Sequence, residues 1–220
     1  MAHWAFRRLS GLLAREGFHV MRFDWSGTGD SWGSTSDGTV SRWLDDVSLA
    51  ERELRDASGA ASITLIGLRL GAAMGALACA RGMSVDHLVL WEPVVDGSTY
   101  IKELEMLDAR ENTRLLHRVA QGGDEIAGYL FPRELRSAIA RIDLCSAPPR
   151  APKRITIVAG TVREDHCRYR DTLLRAGLNV VYEHVPEDAS ATNAGQREAA
   201  LLSNKSLTAI VDHVARRDAR

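Results

Sequence analysis

The stretch TLIGLRLGAAMGA, residues 64–76, constrains the fold more than any other part of the chain. A β-branched apolar run, a pair of bracketing glycines and a run of small residues read as a strand turning sharply into a helix. Such a helix must cross back over the sheet before the next strand can pair in parallel, so the pattern points to layered α/β architecture. Gly67 and Gly71 suit a turn too tight for side chains against the neighbouring strand and helix. Ala72, Ala73 and Gly75 let the helix lie close on the sheet. The apex residue is Arg69.

The rest of the chain repeats the theme. Ala5, Leu9, Leu12 and Leu13 share one helical face that stops at Gly17, and FHVMRFD (18–24) reads as a strand. A loop rich in Gly, Ser, Thr and Asp follows, then a helix over 41–56 marked by Trp43, Val47, Ala50 and Leu54. SITLIGL, HLVLWEPV, RITIVAG and LNVVYEHV read as further strands. Residues 166–176 form a helix between the last two, and Leu207, Ile210, Val211 and Val214 mark a closing one. Apolar strands alternating with helices predict a mostly parallel sheet covered on both faces, within a single domain over 1–220. From Asp96 to about Pro152 the alternation lapses. Residues of about 98–152 are therefore expected to form a helical lid over the sheet's C-terminal edge, where ligands bind in such sheets.

Composition excludes several classes. Lys and Arg total 28 against 29 Asp and Glu, a formal charge of −1, which gives no general attraction to nucleic acid or to a membrane surface. No apolar run reaches the roughly 18 residues of a membrane span, and the N-terminal segment reads as an amphipathic helix, not a signal peptide. Cys79, Cys145 and Cys167 are odd in number and far apart, fitting neither a disulfide framework nor a metal site and suiting the cytoplasm. GTGDSWG begins like a dinucleotide fingerprint. Trp32 replaces its third glycine, however, and the helix starts late, so no cofactor is expected.

The spacing Asp24…Gly27…Gly29…Ser31 in DWSGTGDS, one strand before the arginine turn, resembles the corresponding turn of the α/β-hydrolase fold. RRLSGLLAREGFHVMRFDWSGTGDSWG, WLDDV, IGLRLGA and LVLWEPVVDG together look like the serine aminopeptidase-type hydrolases. They are most similar to the subgroup associated with exosortase systems, in which a G-L-R-L-G elbow is familiar. The resemblance implies hydrolysis of an ester, thioester or amide. It places Arg69 at the nucleophile position and Glu164 or Asp165, with Asp165 the better spaced, at the triad acid. The triad histidine belongs in VPEDASATNAG, where there is none; His184 lies in the preceding strand and His213 deep in the last helix.

A guanidinium stays protonated and is no nucleophile, so serine catalysis is not expected from this elbow. Ser26 and Ser31 lie near the same edge but off the elbow. Arg69 and the backbone N–H of Leu70 instead suit an acidic small molecule at a helix N-terminus. The alternative is that Arg69 merely neutralises Asp165 or Glu92. The resemblance also implies a central strand and oxyanion loop ahead of the first helix. Either FHVMRFD and SITLIGL pair directly, or the sheet has a gap filled by an earlier segment, Met1 being an internal start, or by a protein partner.

Overall fold

A computed structural model of the chain describes residues 2–114, 125–126, 129–186 and 204–216. In chain order its elements are α1 (Ala2–Arg15), α2 (Val40–Ser58), β1 (Thr64–Leu68), α3 (Leu70–Ala80), β2 (His87–Trp91) and α4 (Gly97–Arg114). There follow β3 (Glu125–Ile126), β4 (Tyr129–Leu130), α5 (Arg133–Ala140), β5 (Arg154–Ala159), α6 (Glu164–Arg175), β6 (Val180–His184) and α7 (Asn204–Ala215). The main sheet is parallel, in the spatial order β1-β2-β5-β6, and among the described residues β3 pairs with β4 alone.

Successive side chains of a strand point to opposite faces, and β2 shows what that does here. Leu88 and Leu90 join Ile155 and Ile157 beneath α2, α3 and α6, whose Trp43, Val47, Met74, Tyr169 and Leu173 are buried with them. Val89, Trp91 and Val158 face the other way, against Ala5, Leu9 and Leu13 of α1 and Leu207, Ile210 and Val214 of α7. Strands buried on both faces need apolar residues at every position, which is why they read as unbroken runs. Helix α2 is capped by the Thr39 hydroxyl, which accepts from Arg42 N–H at 3.2 Å, and it ends at Gly59 in the left-handed region (φ 65°).

One expected strand is not formed. Residues 18–24 run from α1 to the glycine-rich loop without entering a ladder, and their Val20, Met21 and Phe23 are 38–39% exposed. An apolar run reports β propensity, but a strand also needs a neighbour's donors and acceptors. Among the described residues β1 pairs with β2 alone, so its far edge offers 18–24 no completed ladder. The direct pairing of FHVMRFD with SITLIGL is thereby excluded.

Between β2 and β5 the described residues carry α4, the β3–β4 pair and α5. The two ends of this excursion are tied together: Asp96 bridges Asp143, Gly97 N–H donates to Ile142 O at 2.8 Å, and Leu144 N–H to Val95 O at 3.0 Å. No described helix is long and apolar enough to cross a membrane.

Candidate functional site

Arg69 joins β1 to α3 at φ 53°, ψ −119°. Backbone of this kind costs about 1–3 kcal/mol and persists only where its surroundings over-determine it. Here they do. Arg69 N–H donates to Trp91 O at 2.9 Å, and Arg69 O accepts from Ala72, Ala73 and Val94 N–H at 3.1, 3.3 and 3.2 Å. The end of β2 and the first turn of α3 thus hold the elbow from both sides. Leu70 opens the helix, so its N–H is among the first-turn donors that lack an intrahelical acceptor.

The Arg69 side chain is engaged by α4. Its Nη2 donates to Glu103 Oε2 at 3.4 Å, and its guanidinium carbon lies 5.4 Å from the centre of the Tyr100 ring, a cation–π arrangement. The second oxygen of Glu103 accepts from Arg163 Nη2 at 2.8 Å. Arg163 in turn donates from Nε and Nη2 to the two Asp165 oxygens at 3.1 and 3.2 Å. The result is an alternating row, Arg69–Glu103–Arg163–Asp165, across the sheet's C-terminal edge. The pairing anticipated between Arg69 and Asp165 is replaced, because α4 interposes Glu103 and Asp165 is taken by Arg163. Glu92, buried at φ 47° where β2 ends, accepts from Gly160 N–H.

Burial works to raise the Asp165 pKa, but the hydrogen bonds and charge of Arg163, with His166 close by, outweigh it and hold the carboxyl below its usual value. Burial likewise opposes the charge on Arg163, and Asp165 and Glu103 more than compensate, raising its pKa. Asp165 is therefore a fixed anion serving Arg163. His166 is wholly buried in the first turn of α6: its Nε2–H donates to Pro93 O at 3.0 Å, and Nδ1 has no hydrogen-bond partner. Burial pushes its pKa down, with Asp165 opposing.

No described histidine is hydrogen-bonded to a serine. His184 Nε2 meets Gly160 O at 3.2 Å, and His213 Nε2 meets Glu183 Oε2 at 3.4 Å. Ser26 donates from Oγ to Asp46 Oδ1 and from N–H to Asp46 Oδ2, both at 2.8 Å, and Ser31 Oγ donates to Asp24 O at 2.6 Å. These hydroxyls lock the glycine-rich loop. The loop after β6 that should carry a triad base lies mostly outside the described residues, since 187–203 are not among them. Nor do the described residues contain a group of His, Cys, Asp and Glu placed to hold a metal ion.

The parallel sheet and the helices that cover it have counterparts among known proteins. A family model described as "Serine aminopeptidase, S33" matches residues 3–148. This chain belongs to the serine aminopeptidase family. Solved structures agree on the α/β-hydrolase fold. The Pyrococcus furiosus esterase PF2001 is 15% identical, with a TM-score of 0.58 over 96% of this chain and 74% of that one. A structure from the study of two metagenome-derived lipolytic enzymes, LipS and LipT, is 15% identical, with a TM-score of 0.59 over 95% of this chain and 88% of that one. Carboxyl esterase 2 of the fungus Tuber melanosporum is 18% identical, with a TM-score of 0.58 over 96% and 70%. At such identities the likeness concerns the fold alone. No curated protein matches the chain.

Relative to the sequence reading of this serine aminopeptidase-family chain, the residue missed is Glu103. It lies 34 positions after Arg69 and 60 before Arg163, in a stretch of charged helix with no motif to single it out. A cleft of about 750 Å³, lined by Leu44, Ser48, Glu51, Arg55 and Arg81, opens at the opposite end of α3 from Arg69. The chemistry-bearing residues gather at the elbow, and the site is placed there.

Proposed function

We propose that this serine aminopeptidase-family protein forms no acyl-enzyme and uses its elbow to hold an acidic small molecule under a lid formed by residues 98–152. The observation that carries this reading is the guanidinium of Arg69 at the apex of the elbow, already facing a carboxylate. Acyl transfer needs a nucleophile, a base and donors for the oxyanion, and a permanently protonated guanidinium is no nucleophile. The same group, backed by Leu70 N–H and the positive end of α3, is well suited to a carboxylate. In this reading Asp165 positions Arg163 and is not a triad acid. Kinship to the exosortase-associated subgroup and a cytoplasmic setting belong to the same proposal. Hydrolysis of an ester, thioester or amide is the competing activity.

A fluorophosphonate probe separates the two. The protein is expected to keep its unmodified mass after incubation, and Arg69→Ser is expected to give no turnover of a nitrophenyl ester, because a hydroxyl alone lacks a base. A labelled serine, or measurable hydrolysis by either protein, refutes the proposal.

A second reading is favoured by the open edge of β1. An extended strand from a protein partner, inserted between β1 and residues 18–24, would pair the free backbone groups of β1 and cover Val20, Met21 and Phe23. Such pairing is expected to slow amide exchange at residues 64–68 when the partner is present. Unchanged exchange in the complex rules it out.

A further inference from the structure

Arg69 and Arg163 are each the N-cap residue of a helix, α3 and α6, and neither side chain caps its own helix. Both guanidinium groups reach instead to one carboxylate, Glu103, each taking a different oxygen, at 3.4 and 2.8 Å. Two cationic side chains, each at the start of a helix, therefore converge on a single anion supplied by α4. His166, buried in the first turn of α6, lies close enough to both arginines to feel their charge, and its Nδ1 is left without a partner. The Glu103 side chain is 34% exposed and its bond to Arg69 is long, so it holds the position loosely.

We infer that Glu103 is an intramolecular stand-in for the carboxylate of a small-molecule ligand, occupying a two-arginine clamp that the ligand takes over when Glu103 withdraws. This rests on the acidic-ligand reading of the elbow and adds to it the second arm, Arg163, and the internal competitor. Arg163 can stay in place through the exchange, because Asp165 holds it from the other side. Tyr100, stacked on Arg69 one turn before Glu103 on α4, links occupancy of the clamp to the seating of that helix. An internal competitor lowers the apparent affinity by the fraction of time the clamp stands empty, so removing its charge strengthens binding.

The test uses glutarate as the probe, with binding read by calorimetry and by ligand-observed NMR. Wild-type protein is expected to bind it weakly, Glu103→Gln about tenfold more tightly, and Arg69→Ala not at all. Glu103→Asp, which keeps the charge but draws it back by one methylene, should fall between wild type and Glu103→Gln. It also carries the test if Glu103→Gln does not fold. If wild type binds glutarate through Arg69 but neither Glu103 variant binds more tightly, the stand-in role is overturned and the acidic-ligand reading survives. If none of the four proteins binds glutarate, both fall.

Discussion

Gly67→Ala is expected to unfold the protein or to cost it about 3 kcal/mol or more, whereas Gly71→Ala, four positions on, should change stability by less than about 1 kcal/mol. A Cβ at Gly67 would lie 2.5 Å from Ala72 Cα, 2.5 Å from Gly71 O and 2.6 Å from Ala72 N. Those are backbone atoms of the helix that the elbow launches, so no side-chain rotation relieves the collision. Moving α3 away would break the bonds from Ala72 and Ala73 N–H to Arg69 O and loosen the packing of Ala72, Ala73 and Ala76, all fully buried. At Gly71 the nearest atom to an added Cβ is Trp25 Cζ2 at 3.8 Å, an ordinary contact. Alanine there even gains helix propensity, and the backbone needs no left-handed conformation. Chemical denaturation of the two variants beside wild type decides the matter. Comparable losses in both would mean that the elbow is not built on close approach at Gly67.

That contrast bears on how much of this molecule was legible in its sequence. The small-residue run of α3 predicted a helix packed hard on the sheet, and Gly75 fits: a Cβ there would press on Leu65 Cδ2 at 3.0 Å. The two elbow glycines looked equivalent, yet only the first is sterically required. Apolar periodicity located α1, α2 and all four sheet strands, most plainly β2 and β5, whose burial on both faces leaves a run of Val, Ile and Leu. The same signal failed at FHVMRFD. Periodicity is a property of one segment, whereas a strand exists only with a neighbour, and among the described residues FHVMRFD pairs with none.

The site divides in the same way. Arg69 was visible because its turn is local: strand, glycine, apex, glycine, helix. The row that engages it is not local. Glu103 arrives from α4 and Arg163 from the end of β5, brought together by the order in which β1, β2 and β5 lie in the sheet. Charged residues on a half-exposed helix are ordinary, and nothing in their spacing distinguishes Glu103 from its exposed neighbour Glu105. Asp165 was visible from its distance to Gly160. Its partner Arg163 is only two positions away, but no local spacing shows that α4 brings a third member, Glu103, to the pair.

Acid should destabilise the protein early, between pH 6.5 and 4.5, and His87 should be a principal cause. The residue opens β2, is 4% exposed, and lies at the edge of the sheet away from Arg69. Its Nδ1 accepts from Arg154 Nη2 at 3.0 Å, since guanidinium nitrogens can only donate. The ring proton therefore sits on Nε2 and is given to Thr156 Oγ1 at 2.8 Å. A second proton would have to enter on Nδ1, in a buried site, facing Arg154, with His213 nearby. Burial first, then the Arg154 charge and that of His213, push the pKa down from 6.5 to about 3. Below pH 6.5 the unfolded chain takes up a proton that the folded one refuses, so this contribution is complete above that pH and is lost as pH falls toward 3. The slope reaches about 1.4 kcal/mol per pH unit, or roughly 2–3 kcal/mol by pH 4.5, a large share of an ordinary domain's 5–15 kcal/mol. Urea unfolding of wild type and His87→Gln at pH 7.5 and 4.5 measures it. Glutamine can accept from Arg154 and donate to Thr156 without titrating, so the variant should lose 2–3 kcal/mol less than wild type over that interval, about what linkage assigns to His87 alone. His166, depressed in the same direction, keeps some acid sensitivity in both proteins. Parallel losses would mean that the imidazole is protonated in the folded state, with Arg154 turned away from it.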